Sequence, residues 1–287
     1  MNRWIVGARV RTLPAALVPV GLGSGVAVGE GTASWWAVPL AAVVALALQV
    51  GVNYANDYSD GIRGVDDDRV GPVRLVGSGL ASARSVKIAA MSAFLVAAVA
   101  GLVLAIATTW WLIAVGAASI LAGWFYTGGP RPYGYAGFGE IFVFVFFGLV
   151  ATVGTTFVVL EQFPAATWWL GVATGAMSCA LLVTNNLRDI PSDRESGKRT
   201  LAVRLGDSRT RGLFVALLVV GFTALMVAGV SRPEVLIGLA AIPLAIAPIR
   251  TVNSGAIGRD LVAVLEGTGR LQLVFGCLTT GALIALS

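Results

Sequence analysis

Residues 31–60, with the sequence GTASWWAVPLAAVVALALQVGVNYANDYSD, contain the feature that decides the fold. From residue 31 to residue 56 this stretch has no charged side chain, and a helix of that length can cross the roughly 30 Å hydrocarbon core of a bilayer. The stretch then ends in a cluster of amides and carboxylates. It therefore predicts a transmembrane helix with a polar site at one end.

The rest of the chain repeats this apolar character. Of its 287 residues, 57% are hydrophobic and 12% are charged, which is too apolar for a soluble core. Residues 88–130 are too long a charge-free run for one helix, and the cluster at 108–111 (Thr-Thr-Trp-Trp) predicts an interfacial turn within it. We expect an all-α, polytopic membrane protein with a single domain over 1–287 and about nine transmembrane helices. Besides 31–56 and 88–130, charge-free runs lie at 12–29, 141–160, 162–187, 212–231, 235–249 and 271–287.

The basic residues predict the orientation, because cytoplasmic loops retain Lys and Arg during insertion. With the N-terminus inside and the C-terminus outside, only Arg232 falls on the outer side. We therefore expect a multi-pass protein of the cell membrane whose polar clusters face the cytoplasm. The net charge of +5 follows from this topology and does not indicate a nucleic-acid partner.

The chain contains no histidine. This absence excludes imidazole metal ligands and any catalytic triad that depends on histidine. Its two cysteines lie in apolar spans and form no metal-binding pattern. The chemistry must therefore rest on carboxylates, amides and cations.

Two clusters supply those groups. In the first, Asn53, Asp57 and Asp60 follow the i, i+4, i+7 spacing of one helical face. In the second, Asn185, Asp189 and Asp193 stack in the same way if the helix continues past Pro191, although Pro191 could instead bend the chain. The similar order of amide and carboxylates, about four helices apart, indicates an internal duplication.

Oxygen-rich faces of this kind suit Mg²⁺, which binds carboxylates and keeps positions for water and substrate phosphates. Asp66 or Asp67 could complete the first site, because the stretch at 61–64 is flexible, but Asp57 ranks above both. The alternative is that each cluster is a solvated helix end. Placing carboxylates near the hydrocarbon core costs free energy, and the chain does so twice, which favours a functional site over a solvated helix end. The predicted metal ligands are Asn53, Asp57, Asp60, Asp66, Asn185, Asp189 and Asp193.

Cations beside the two clusters could neutralise the remaining charge of a diphosphate. Each could also simply follow the rule that cytoplasmic loops are basic. We predict that these cations act together with the neighbouring amides and Arg188. The full predicted diphosphate-binding set is Asn53, Asn56, Arg63, Arg69, Arg74, Arg131, Asn185, Asn186, Arg188, Lys198 and Arg199.

Two further residues are candidates for proton transfer. Tyr126, in a Gly- and Pro-rich loop, could donate its phenolic proton to a phosphate oxygen, or it could be an interfacial aromatic anchor. Glu140 precedes a strongly apolar run and could be a base or a helix N-terminal charge. The predicted catalytic set is Asp57, Asp60, Asp189, Asp193, Tyr126 and Glu140.

These motifs resemble the UbiA superfamily of intramembrane aromatic prenyltransferases over essentially the whole chain. Within it they are similar to the 1,4-dihydroxy-2-naphthoate polyprenyltransferase branch. One departure is that two residues separate Asp57 from Asp60, where the superfamily's broader motif is Asn-xxx-Asp-xxx-Asp. The motifs that carry the resemblance are Asn56-Asp57-Tyr-Ser-Asp60, Arg69-Val-Gly-Pro72-Val-Arg74-Leu-Val-Gly-Ser78-Gly79, Tyr126-Thr-Gly-Gly-Pro130 and Asn185-Asn186-Leu-Arg188-Asp189.

The resemblance implies a bundle of nine helices with two Asp-rich motifs and a Mg²⁺-dependent reaction. In that reaction a polyprenyl chain from a polyprenyl diphosphate replaces the carboxylate of 1,4-dihydroxy-2-naphthoate. Diphosphate and CO₂ leave, and the product is a demethylmenaquinol of menaquinone biosynthesis. Other acceptors, such as 4-hydroxybenzoate, stay open.

Two other classes of protein were weighed against this interpretation. The Asp-x-x-Asp-Gly pattern of CDP-alcohol phosphatidyltransferases matches residues 57–61, but that family has Ala-Arg where this chain has Gly64-Val65. A transporter would also use intramembrane acids, but these should gather near the midplane of the membrane. Here they gather at one surface, which favours an interfacial active site.

Overall fold

The computed structural model describes residues 2–31, 33–64 and 73–286, and within these ranges every regular element is helical. This confirms the all-α prediction. Three segments with other helical hydrogen-bonding patterns join the α-helices: 3₁₀ turns at Val10–Thr12 and Pro233–Ala241, and a π-helical segment at Phe144–Val150. The α-helices are α1 Arg3–Ala8, α2 Pro14–Val26, α3 Ala37–Gly61, α4 Ala83–Ala107, α5 Trp111–Phe125, α6 Gly139–Val143, α7 Ala151–Leu160, α8 Ala165–Glu195, α9 Leu201–Leu205, α10 Asp207–Ala228, α11 Pro243–Asn253 and α12 Asp260–Ala285.

The described residues contain six to eight candidate membrane spans. Six are single helices, with α6, the π segment and α7 forming one span over Gly139–Leu160. Two are bent pairs: Arg3–Thr12 with Pro14–Val26, bent by 49°, and Pro233–Ala241 with Pro243–Asn253, bent by 46°. The predicted count of nine is reached only if the 15-residue helix α5, about 22 Å long, is counted as well.

Several helices extend beyond the charge-free runs that predicted them. Helix α3 continues through the whole Asn/Asp cluster to Gly61, and α12 begins at Asp260 where the apolar run begins at 271. Helix α8 passes Pro191 and ends at Glu195, so this proline does not end the helix. The reason is that charge marks where hydrocarbon ends, whereas backbone hydrogen bonding can carry a helix into the aqueous surface.

The packing brings the polar ends of α3 and α8 to the same end of the bundle. Helix α3 packs against α4, α8 packs against α10, and α2 lies against both α7 and α12. The π segment approaches α8 so closely that a Cβ on Gly148 would lie 2.5 Å from the Cα of Gly175. This close contact requires glycine and sets the position of α8 beside the π segment.

Candidate active site

A cavity of about 670 Å³ lies between the C-terminal parts of α3 and α8 and extends into the bundle. Its inner walls are apolar and come from α2, α4, α5 and the α6–π–α7 span, including Phe142, Phe146 and Phe147. The cavity therefore matches a ligand with a charged head and a long apolar tail. At its polar end the lining side chains are Asn53, Asn56, Asp60, Arg74, Asn185, Asn186, Asp189, Asp193 and Lys198.

Helix α3 presents a different face to the cavity from the predicted one. Its polar lining residues are Gln49, Asn53, Asn56 and Asp60, a spacing of four, three and four. Asp57 is not among them, because it is fully buried on another side of the helix. The spacing of the cluster fits two helical faces, and only the packing of the following loop selects between them.

Asp57 binds that loop. Its Oδ2 accepts a hydrogen bond from the amide of Leu75 at 2.7 Å, and its Oδ1 accepts one from the amide of Val76 at 2.9 Å. The Leu75 amide would otherwise be a buried donor without an acceptor, and the Val76 amide a partly buried one. The predicted face of Asn53, Asp57 and Asp60 is thus corrected: Asp57 holds the loop, and Asn56 takes its place in the cavity.

Asp60 contacts polar side chains from three other parts of the chain. Its carboxylate is 3.3 Å from Lys198 Nζ and 3.6 Å from Arg74 Nη2, and the hydroxyl of Tyr135 donates to it. Only 3% of the Asp60 surface is exposed. Burial, and then the charge of Asp60, raise the pKa of Tyr135 above its ordinary value, so the phenol keeps its proton. Asp60 is therefore where the loops meet α3.

On α8 the predicted stack is present, since Asn185, Asp189 and Asp193 all line the cavity. Arg188 Nε and Nη2 lie 2.6 and 2.8 Å from the two oxygens of Asp189. Thr200 lies 3.4 Å from Asp193 Oδ2. Arg188 is buried and is not a lining residue, so its place is beside Asp189 rather than at the cavity surface.

The other predicted cations have varied positions. Arg63 donates to the carbonyls of Thr127 and Gly129, which ties α3 to the Tyr126 loop outside the cavity lining. Arg131 and Arg199 are exposed and also lie outside the lining. Asp66, Asp67 and Arg69 lie outside the described residues. Arg74 and Lys198 are the loop cations of the described chain that line the cavity.

Tyr126 lines the cavity, and Glu140 lies behind it. Burial, and then the charge of Glu140, raise the pKa of Tyr126, which keeps the phenol protonated and able to donate. Glu140 Oε1 accepts a hydrogen bond from Asn186 Nδ2 at 2.9 Å, while its Oε2 has no partner among the described residues. Glu140 is therefore placed to orient Asn186, which lines the cavity.

The polar lining residues that the sequence analysis did not assign to the site include Arg9, Thr12 and Gln49. In the sequence, Arg9 indicated only the cytoplasmic side of the membrane, and nothing about Thr12 pointed to a site. Gln49 did give a signal, because a single amide within a charge-free helix is costly in lipid unless it faces protein or a cavity. The three lie together, with Gln49 Nε2 donating to Thr12 Oγ1 at 2.9 Å and Thr12 Oγ1 donating to the Arg9 carbonyl at 2.9 Å.

The oxygen donors at the polar end of the cavity fit a metal ion that is held partly by water and phosphate. Among the described residues, no three side chains of Asp, Glu, Cys or His lie close enough to hold one ion together. However, three carboxylates and five side-chain amides line one cavity. Mg²⁺ commonly uses one or two carboxylates and completes its shell with water and phosphate, so these residues fit it.

Comparison with known proteins gives the same picture of the fold. Residues 16–265 match the UbiA prenyltransferase family. The chain is 54% identical over 285 residues to a 1,4-dihydroxy-2-naphthoate octaprenyltransferase of Mycobacterium tuberculosis, covering 98% of this chain and 96% of that one.

Two solved structures are similar in fold. A UbiA homolog from Archaeoglobus fulgidus bound to GPP and Mg²⁺ has a TM-score of 0.73 at 15% identity, covering 99% of this chain and 100% of that one. The apo structure of a UbiA homolog from Aeropyrum pernix K1 has a TM-score of 0.74 at 13% identity, covering 96% and 98%. At these identities the likeness concerns the fold alone.

Proposed function

Because this chain belongs to the UbiA prenyltransferase family, we propose that it transfers a polyprenyl chain from an allylic polyprenyl diphosphate to 1,4-dihydroxy-2-naphthoate. Diphosphate and CO₂ leave, and demethylmenaquinol forms for menaquinone biosynthesis. The observation that carries the proposal is the single cavity that joins carboxylates and cations at one end to apolar walls at the other. The choice of acceptor is supported by the 54% identity to the naphthoate octaprenyltransferase.

We further propose that the diphosphate lies at the polar end with Mg²⁺. The residues that would hold the ion are Asn56, Asp60, Asn185, Asp189 and Asp193, and the Mg²⁺ in the A. fulgidus homolog supports a divalent cation. When bound, Mg²⁺ neutralises the charge that develops on the leaving diphosphate. Asp57 is left out of this set because both of its carboxylate oxygens accept hydrogen bonds from the backbone amides of Leu75 and Val76. Asn53 is assigned instead to the N-terminal segment, because its Nδ2 donates to the Ala8 carbonyl and to Thr12.

The chain's own cations and phenol assist the same departure. Lys198 and Arg74 contact Asp60 from the loop side, so they can move a few ångströms onto diphosphate oxygens. Tyr126, which keeps its proton, can donate to the oxygen that breaks from the allylic carbon. Together these groups oppose negative charge where it appears.

The apolar part of the cavity holds the prenyl chain and keeps water from the allylic cation. The rings of Phe142, Phe146 and Phe147 line it and can stabilise positive charge through their faces. Of the four phenylalanines between 142 and 147, Phe144 does not line the cavity. We infer from the basic loops that the polar end faces the cytoplasm and the C-terminus lies outside.

The test is direct. The protein, purified in detergent, is incubated with Mg²⁺, a long-chain allylic diphosphate and a panel that includes 1,4-dihydroxy-2-naphthoate and 4-hydroxybenzoate. Products are identified by mass, and released CO₂ is measured. We expect a prenylated naphthalenediol and one CO₂ per transfer. Product from 4-hydroxybenzoate alone would indicate another acceptor class, and no product with any acceptor would contradict the enzyme activity.

A further inference from the structure

The cavity face of α3 continues beyond the diphosphate end to Gln49. This residue lies seven positions before Asn56, about 10 Å deeper by helical rise. Gln49 is 7% exposed and lines the cavity, and its Oε1 has no hydrogen-bond partner among the described residues. Buried acceptors are nearly always paired, so a bare one in a cavity wall indicates a ligand that donates.

Arg9 faces the same region from an unusual backbone conformation. Its φ of 52° is left-handed, which is uncommon for a residue other than glycine, and it forms the break between α1 and the following 3₁₀ turn. Asn53 Nδ2 holds this break by donating to the Ala8 carbonyl at 2.9 Å and to Thr12 Oγ1 at 3.1 Å. A left-handed conformation of this kind persists only where the surrounding contacts enforce it. Here the residue that adopts it, Arg9, is also a lining residue of the cavity.

The cations of the cavity are divided between its two regions. Among the described residues, the lining cations are Arg9, Arg74 and Lys198. Arg74 and Lys198 lie at the carboxylate end, within 3.6 and 3.3 Å of Asp60. Arg9 belongs to the segment that Gln49, Thr12 and Asn53 hold together. We call Arg9 and Gln49 the Arg9–Gln49 pocket.

We propose that the Arg9–Gln49 pocket binds the aromatic acceptor, with Arg9 on its ring carboxylate and Gln49 Oε1 accepting from its adjacent hydroxyl. This inference rests on the proposed function. A carboxylate in a largely apolar cavity needs a cation with hydrogen-bonding geometry, which guanidinium supplies. The allylic carbon is bonded to the diphosphate, so a ring held on the tail side of Asn56 lies next to the carbon that it attacks.

The pocket would also select the acceptor. In 1,4-dihydroxy-2-naphthoate the carboxylate and one hydroxyl occupy neighbouring ring carbons, so both can meet Arg9 and Gln49 at once. In 4-hydroxybenzoate the two groups lie at opposite ends of the ring. A pocket built for adjacent groups leaves one of its polar partners unsatisfied with the wrong acceptor, which is a strong source of specificity.

The experiment removes one group at a time from protein and ligand. Binding of 1-hydroxy-2-naphthoate, 2-naphthoate and 1-naphthol to the full chain in detergent is measured by calorimetry. We expect Arg9→Gln to lower the affinity for the two carboxylate-bearing probes by about 30-fold, as for a lost charged hydrogen bond. The affinity for 1-naphthol, which has no carboxylate, should change by less than about 2-fold. Gln49→Met should weaken the two hydroxyl-bearing probes by about 10-fold and spare 2-naphthoate.

Three controls separate recognition from folding. Thr12→Val removes the hydrogen bond that holds Gln49 but leaves Oε1, and should keep the affinity ratios among the probes near those of the original protein. Arg9→Lys keeps the charge and should restore most of the preference for carboxylates. The KM for the prenyl diphosphate should stay within about 2-fold in Arg9→Gln and Gln49→Met, because Gln49 lies about 10 Å deeper than Asn56 along α3 and the Arg9 segment is bonded to it through Thr12.

The inference would be overturned if folded Arg9→Gln and Gln49→Met kept the original ratios of affinity among the three probes. It would also be overturned if these variants mainly changed the KM for the prenyl diphosphate. In both cases transfer to the naphthoate by the original protein would leave the proposed function standing. If the original protein bound none of the probes and prenylated no naphthoate, the proposed function would fail together with the inference.

Discussion

The two Asn/Asp helix ends have similar sequences and different surroundings. On α8, Asn185, Asp189 and Asp193 repeat every four residues, and all three line the cavity. On α3, Asn56 and Asp60 share that spacing and line the cavity, but Asp57 lies next to Asn56 and binds the backbone of the Leu75 loop instead. Because Asn53 and Asp57 also lie four residues apart, the comparison teaches that spacing alone does not choose the carboxylate that faces the cavity; the packing of the Leu75 loop against Asp57 does.

The sharpest test of this comparison is the loss of the two paired acids. We expect Asp60→Asn and Asp189→Asn each to lower kcat/KM by about 10³-fold, or roughly 4 kcal/mol of transition-state free energy, because each removes a charge that would hold Mg²⁺. The rate is measured over a Mg²⁺ titration, with chelation by EDTA expected to silence the original protein. Glu161→Gln, at an exposed position, is the matched control. An unchanged rate at limiting Mg²⁺ would remove that aspartate from the site.

Asp57→Ala tests the other side of the comparison. It leaves the buried amide of Leu75 and the partly buried amide of Val76 without their acceptor, at a cost of about 3 kcal/mol in stability. We expect a lower melting temperature in detergent with an unchanged midpoint of the Mg²⁺ titration. A normal melting temperature combined with a weaker response to Mg²⁺ would return Asp57 to the metal-binding set.

A lining amide on each helix is held by a neighbouring side chain: on α8, Glu140 accepts a hydrogen bond from Asn186, and on α3, Thr127 Oγ1 donates one to Asn56 Oδ1 at 2.8 Å. We expect Glu140→Gln to weaken a charged hydrogen bond and so to misplace Asn186. The loss of about 2 kcal/mol of transition-state stabilisation would lower kcat/KM by roughly 30-fold. Cys179→Ala, which loses only the Sγ contact to the Glu140 carbonyl, is the control. If the two variants lost kcat/KM equally, the Glu140 carboxylate would not be what positions Asn186.

The smallest expected effect is that of Tyr126→Phe, which removes a donor between the two helix ends. We expect a loss of about 10-fold. Because burial, and then Glu140, raise the pKa of Tyr126 above its ordinary value, the phenol stays protonated from pH 6 to pH 9. The loss should therefore be uniform over that range in a pH–rate profile. A loss that grows with pH would contradict this role, and Tyr133→Phe serves as the control.

Much of the fold could be predicted because the bilayer limits the choices. Charge-free runs located the spans, and the Trp-containing cluster at 108–111 correctly marked the turn between α4 and α5. The helix ends were predicted less well, since α3 and α8 extend past the ends of their charge-free runs and α12 begins at Asp260, before its run starts at 271. Composition reports the depth of a residue in the membrane, whereas hydrogen bonding decides where a helix stops.

For the site, the types of residue were predictable and their directions were not. Asn185, Asp189 and Asp193 were placed correctly on one face because their spacing allows a single helical face. Arg131 and Arg199 were expected beside the diphosphate but are exposed outside the cavity lining. A basic loop residue follows the orientation of the membrane first, so its presence says little about where its side chain points.

The sequence by itself determined that this chain is a helical membrane protein with two amide and carboxylate clusters at one surface, because lipid tolerates few other arrangements of such residues. Tertiary structure alone decided which acids face the cavity and which bind backbone. It also brought Arg9 and Gln49, 40 positions apart, to one wall. The physical reason is that periodicity constrains a residue relative to its own helix, while the partner that satisfies its charge or amide comes from another part of the chain.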